Sequence, residues 1–237
     1  MICRELGALF VHIPKAAGQS VERVLLAEMG MGWDNRSAAL LAPNADPAKG
    51  PPRLAHLTTE EYLRYGWLTK LEFDQIFKFA FVRNPWARLV SEYRYRGLAP
   101  ALGFRDFVLS RFPTPADDDY VNAEDHYRHV LPQSRFLYDA AGNCLVDFVG
   151  RFERIEQDFE AVAAKLGLHS YALPHSNASR QVATADRSIL TVLRGLLGRG
   201  QAARHNYESY FDDSTRHFVE NTYAEDIERF GYRFGES

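Results

Sequence analysis

Apolar side chains fall in short runs separated by segments in which they recur every three or four residues. Leu9 to Ile13 is one such run, and it stops at Pro14, which suits a buried strand. Beyond Gly18, the positions Val21, Val24, Leu25 and Met29 recur at helical spacing, with Gly30 as a C-terminal stop. The same strand, loop and helix pattern returns at Phe77 to Val82 (FKFAFV). There Asn84 is placed to cap a helix that Pro85 begins and Gly97 ends. Between these units, Thr58-Thr59-Glu60-Glu61-Tyr62 reads as a short capped helix closing at Gly66, directly after His56. Leu145 to Phe152 is a third strand and Glu153 to Leu166 an amphipathic helix stopped by Gly167. Arg187 to Leu197 and Ser214 to Phe230 also read as helices.

Strands that alternate with helices imply crossover connections, hence an α/β fold with a central parallel sheet flanked by helices. The 237 residues, 46% apolar and 25% charged, fit a single domain over 1–237 and exclude disorder as the main state. A net charge of -3 leaves no global positive field for nucleic acid or an anionic membrane, so any anion site must be local. Cys3 and Cys144 form no CxxC pair, which argues against a disulfide framework or a thiolate zinc site, and no metal is expected. No apolar run approaches the ~20 residues of a membrane span, and Gly7 to Ile13 is too short for the core of a secretion signal, so the expected location is cytoplasmic. The Pro43 to Pro52 cluster and the run Asp117-Asp118-Asp119 read as solvated surface loops.

In an open parallel sheet, ligands bind at the carboxyl ends of the strands, and both strand ends carry anion chemistry. His12-Ile13-Pro14-Lys15-Ala16-Ala17-Gly18-Gln19-Ser20 lies between a strand and a helix, where unbonded N–H groups and the helix dipole favour an anion. Gly18 would admit a close backbone approach, Ala16 and Ala17 leave room for oxygens, and Lys15 adds a full charge. This is not a Walker loop, because Lys15 precedes Gly18 and no magnesium-binding hydroxyl follows the Lys. At the second strand end, Arg83 and Ser91, which shares a helix face with Asn84 about two turns along, make another anion site. Two such sites would hold a nucleotide phosphorylated in two places.

FVHIPKAAGQS and FVRNPWARLVSEY resemble the two phosphate motifs of the sulfotransferases that use 3′-phosphoadenosine 5′-phosphosulfate (PAPS), in the carbohydrate branch that includes heparan sulfate 2-O-sulfotransferase-like enzymes. Those motifs are usually written HxPKTAGTS and FVRNPxxRLVSxY. Weaker echoes follow in His126 with Pro132-Gln133, VDFVGRFERIEQDF, LPHSNAS and YAEDIERFGYRF, so the resemblance spans almost the whole chain. It implies a P-loop-like sulfotransferase fold with Lys15, Ala16, Ala17, Gly18, Gln19 and Ser20 at the 5′-phosphosulfate. Arg83 and Ser91 would hold the 3′-phosphate, and Asn177 and Ser179 would lie in a loop closing over the nucleotide. Ala16 and Gln19 stand where the family commonly has Thr, which removes side-chain donors but not backbone ones.

The implied reaction is in-line sulfuryl transfer to a hydroxyl acceptor, a glycan or small molecule, without metal, with Lys15 stabilising the leaving phosphate. The acceptor must lose a proton, and of the eight histidines His56 is the expected base, with His126 second. Two alternatives from other classes are a non-catalytic nucleotide-binding protein of the same fold and a small-molecule kinase. Binding of adenosine 3′,5′-bisphosphate without turnover marks the first, and magnesium-dependent ATP consumption the second.

Overall fold

The computed structural model describes residues 1–99, 101–168 and 207–236. Its described strands are β1 (Ile2–Cys3), β2 (Ala8–Val11), β3 (Phe77–Val82), β4 (Asp118–Asp119), β5 (Glu124–Asp125) and β6 (Phe148–Arg151). The central sheet has the order β1-β2-β3-β6, with β2, β3 and β6 parallel and β1 added antiparallel at one edge. The expected parallel sheet is therefore present, with one antiparallel edge strand. β4 and β5 form a separate hairpin.

Side chains of a strand alternate between faces, and here both faces are apolar. Leu9, Val11, Ala80 and Val82 enter one core, and Ala8, Phe10, Phe79 and Phe81 enter the other. Val21, Val24 and Leu25 of α1 (Gly18–Glu28) and Ile155, Phe159 and Val162 of the helix Ile155–Leu166 cover the Phe10 face. The opposite face packs against Tyr62 of α2 (Thr59–Arg64), and the next helix, α3 (Lys70–Gln75), adds Phe73. Trp86, Leu89, Val90 and Tyr93 of α4 (Pro85–Tyr95) complete that layer with the C-terminal helices Asp213–Thr222 and Ala224–Phe230. Asn84 caps α4 by accepting the N–H groups of Trp86 and Ala87, and Thr58 and Glu61 form the capping box of α2, both as their sequences indicate.

Three segments depart from the sequence reading. The third strand is shorter than Leu145 to Phe152, because the Leu145 N–H is taken by the Leu137 carbonyl and the Asp147 carboxylate, not its backbone carbonyl, accepts the Lys78 N–H, so the ladder with β3 starts at Phe148. Ser214 to Phe230 is two helices, broken at Tyr223, which follows the weak helix formers Asn221 and Thr222 and turns its hydroxyl to the Val130 carbonyl. Of the acidic run, Asp117 is exposed as expected, but the other two residues are not loop. Asp118 and Asp119 form β4, Asp118 accepts the Tyr127 N–H, and Asp119 accepts the N–H groups of Val121 and Asn122, closing the hairpin turn. Arg187 to Leu197 lies outside the described residues.

Candidate functional site

The carboxyl ends of β2, β3 and β6 lie along one edge of the sheet, and the residues that follow them, His12, Arg83 and Phe152, line one cavity of about 550 Å³. After β2 the chain makes an unusual turn. Lys15 and Ala17 both adopt left-handed backbone (φ 67° and 69°), a conformation that costs a non-glycine residue about 1 kcal/mol or more. Two buried guanidinium groups hold the turn in place. Arg88 Nε donates to the Pro14 carbonyl (3.0 Å), and Arg83 Nη1 donates to the Lys15 carbonyl (3.1 Å). Ala17, Gly18 and Gln19, at the first turn of α1, then face the cavity with the N–H groups that a helix start leaves unbonded.

Gly18 has a second, steric requirement. A Cβ at this position would lie 1.8 Å from Nε2 of His12, so the missing side chain makes room for an imidazole of the same loop. Ala16 is buried in the core and Ser20 is half-buried on α1. Neither is part of the cavity wall.

At the end of β3, the side chain of the fully buried Gln133 continues the strand. It accepts the Arg83 N–H (2.8 Å) and donates to the Arg83 carbonyl (2.8 Å). Asp226 in turn accepts the N–H groups of Gln133 and Ser134 (both 2.7 Å), so the Pro132-Gln133 and YAEDIERF segments act together to fix Arg83. The Arg83 guanidinium lies 4.1 Å over the Phe152 ring, and Ser91 joins it on the cavity wall. Asn84 does not share that position, because its side chain caps α4 and donates to the Arg233 and Glu236 carbonyls.

The half-buried Lys15 ammonium sits 3.7 Å over the ring of Tyr95. Burial lowers its pKa, Glu92 pulls in the opposite direction, and the cations of Arg83, Arg96 and Arg88 push it down again, leaving it at about 8. Lys15 therefore stands among guanidinium groups, short of negative charge.

Beside it stand three buried histidines. His56 packs edge-on between His12 (ring centroids 4.7 Å apart) and His129 (5.0 Å), and all three line the cavity. Each has a carboxylate on Nδ1: Glu22 on His12 (2.5 Å), Asp125 on His56, and Glu92 on His129 (2.7 Å). Burial holds His56 and His129 below the ordinary imidazole range despite those carboxylates. Burial alone would raise the Asp125 carboxyl, but His56, His129 and Arg53 outweigh it and hold the group well below the usual range.

Lys15, Ala17, Gly18, Gln19, His56, Arg83 and Ser91 thus come together as the sequence anticipates. His126 does not join them: it lies outside the cavity wall with its Nε2 on Glu124 (2.6 Å). Asn177 and Ser179 lie outside the described residues. The sequence reading missed His129, Asp125, Glu92, Tyr95 and Arg88. One signal for them was present: Arg88, Ser91, Glu92 and Tyr95 are spaced i, i+3, i+4, i+7 on α4, a polar stripe on one helix face. Arg88 ties this face together, since its other nitrogens donate to the Leu131 (3.0 Å) and His129 (2.9 Å) carbonyls.

The pattern of the Sulfotransferase family matches residues 1–233. Carbohydrate sulfotransferase 14 from Mus musculus is 31% identical over 172 residues, covering 65% of this chain and 43% of the mouse protein. The Homo sapiens protein of the same name is 31% identical over 175 residues, with the same coverage. The chain thus spans under half the length of these two relatives. An uncharacterized protein of Archaeoglobus fulgidus is 33% identical over 99 residues, covering 40% of this chain and 72% of that protein. No solved structure matches the chain significantly.

Proposed function

The chain belongs to the sulfotransferase family, and from that premise we propose that it transfers a sulfuryl group from PAPS to a hydroxyl of a carbohydrate acceptor. The observation that carries this reading is the single cavity joining Lys15 and the first turn of α1 to Arg83, Ser91 and His56. The donor set fits a molecule with an anion at each end. Lys15 and the N–H groups of Gly18 and Gln19 suit the 5′ end, and the Arg83 fork with the Ser91 hydroxyl suits the 3′-phosphate. When bound, PAPS supplies an activated sulfuryl group and leaves as adenosine 3′,5′-bisphosphate.

Lys15 holds positive charge where the departing phosphate oxygen gains negative charge, and the burial that lowers its pKa also strengthens its attraction for a phosphate. His56 takes the proton of the acceptor hydroxyl. Its Nδ1 is committed to the Asp125 carboxylate, which only accepts, so the hydrogen resides on Nδ1 and the lone pair on Nε2. Burial keeps the ring neutral and able to accept at neutral pH. A carbohydrate acceptor is supported by the likeness to the two carbohydrate sulfotransferases and by Trp33. That ring is partly exposed at the cavity wall, with the Arg36 guanidinium 4.5 Å and the Arg23 guanidinium 5.4 Å from its centre, an aromatic and cationic surface on which a sugar could pack.

Incubation with PAPS and a panel of carbohydrates should give products heavier by one sulfo group in mass spectra. Adenosine 3′,5′-bisphosphate at a hundredfold excess over its Kd should stabilise the fold by about 2.7 kcal/mol. No mass gain, with no shift in Tm at millimolar nucleotide, overturns the proposal.

A further inference from the structure

Two rings of the histidine cluster and one carboxylate bring their metal-ligating atoms together in a buried site. Glu92 accepts from Arg96 Nε (2.6 Å) and faces His129 Nδ1 (2.7 Å), so the hydrogen of a neutral His129 ring is on Nδ1. Its Nε2 lies 3.4 Å from the Asp125 carboxylate oxygen Oδ1, and both groups are buried. The other Asp125 oxygen is on His56 Nδ1. Arg53 Nε, 3.8 Å from Oδ1, is the nearest compensating cation among the described residues. The ligating atoms of His56, Asp125 and His129 all lie within 4.8 Å of one another, and both histidines line the cavity.

We propose that His56, Asp125 and His129 form a binding site for a divalent cation of the zinc class, and that its occupancy switches transfer off. Two imidazoles and one carboxylate are a zinc donor set that leaves a fourth position open toward the cavity. Bonds of ~2.1 Å at a tetrahedral angle put neighbouring ligand atoms roughly 3.4 Å apart. The His129 Nε2 to Asp125 Oδ1 separation of 3.4 Å already has that spacing, and His56 completes the set by drawing back from its hydrogen bond to Asp125. The Glu92 to His129 hydrogen bond is the outer-shell carboxylate that orients a metal-binding imidazole. Binding on His56 Nδ1 breaks that N–H bond and makes a metal–nitrogen bond. The ring's hydrogen moves to Nε2, which then has no lone pair for the acceptor's proton. The binding site stands on geometry alone, whereas the inhibition rests on the transfer reading above.

The test is zinc titration of chelator-stripped protein by calorimetry, with cobalt absorption as a report on geometry. One zinc per chain and intense visible bands of tetrahedral cobalt are expected. His129→Asn should abolish both, and Glu92→Gln should weaken zinc about 10- to 100-fold. The Tm of each variant, and its shift with adenosine 3′,5′-bisphosphate, separates a lost ligand from a lost fold. No saturable zinc binding, or binding unchanged in a folded His129→Asn variant, overturns the site. Full transfer at saturating zinc overturns the inhibition. If zinc binds as expected and the metal-free protein transfers nothing, the site stands and the inhibition falls with the transfer reading.

Discussion

Adenosine 3′,5′-bisphosphate should bind about tenfold more weakly at pH ~9 than at pH ~7, and Lys15 should account for the loss. In the free protein the Lys15 ammonium has a pKa of about 8, held down by burial and by Arg83, Arg96 and Arg88 against the pull of Glu92. It is then about 90% charged at pH ~7 and about 10% charged at pH ~9. A bound phosphate neutralises those cations and favours the charged form, returning the group toward its ordinary value of about 10.5. Binding must therefore take up a proton at the higher pH, close to zero at pH ~7 and close to one at pH ~9, and the affinity falls by the ratio of the charged fractions. The nucleotide's own phosphates, with a second pKa of ~6, are already about 90% ionised at pH ~7 and change little across this window. Calorimetry in two buffers of different ionisation enthalpy measures the uptake directly. Lys15→Arg keeps a charge that does not titrate, so its uptake should vanish and its affinity should be level with pH. A parent affinity that stays level from pH ~7 to ~9, or uptake that persists in Lys15→Arg, refutes the placement of Lys15 at the phosphate.

Gly18→Ala drives a Cβ into His12 Nε2 and should lower stability by about 1–3 kcal/mol in denaturant unfolding, with most of the loss recovered in the His12→Ala, Gly18→Ala double variant. Gln133→Leu strips the Arg83 N–H and carbonyl of their partners, so a loss of about 1–3 kcal/mol is expected together with weaker nucleotide binding; unchanged binding would detach Arg83 from the phosphate. Asp125→Asn no longer requires a hydrogen on His56 Nδ1 and should slow single-turnover sulfo transfer about a hundredfold or more without removing nucleotide binding, so a rate within twofold of the parent argues against His56 as base.

The two strand, loop and helix units were legible because their chemistry is local. FKFAFV is a short, aromatic-rich apolar run that suits a buried strand, and Asn84-Pro85 is a favoured cap and first residue for α4. The loop after β2 was legible in position but not in shape. Left-handed Lys15 and Ala17 carry no glycine to announce them, and the arginines that hold the turn come from a helix and a strand end far along the chain. His129 was passed over for His126 three residues earlier, since only the tilt of the short helix His126–Val130 decides which ring faces His56. The hairpin was missed because two aspartates are poor strand formers. Their pairing depends on hydrogen bonds to Tyr127, Val121 and Asn122 rather than on propensity.

That hairpin sets a condition on redesign. Its turn puts Asn122 and Ala123 on the cavity wall, and its second strand ends at Asp125, the partner of His56. Under the proposed function, exchanging the hairpin to alter the choice of acceptor would also exchange the carboxylate that sets the hydrogen on His56, so selectivity and turnover are not separable through this segment. A designer seeking independence would leave Asp125 in place and vary only the tip, where Val121 is 92% exposed and tolerant of change.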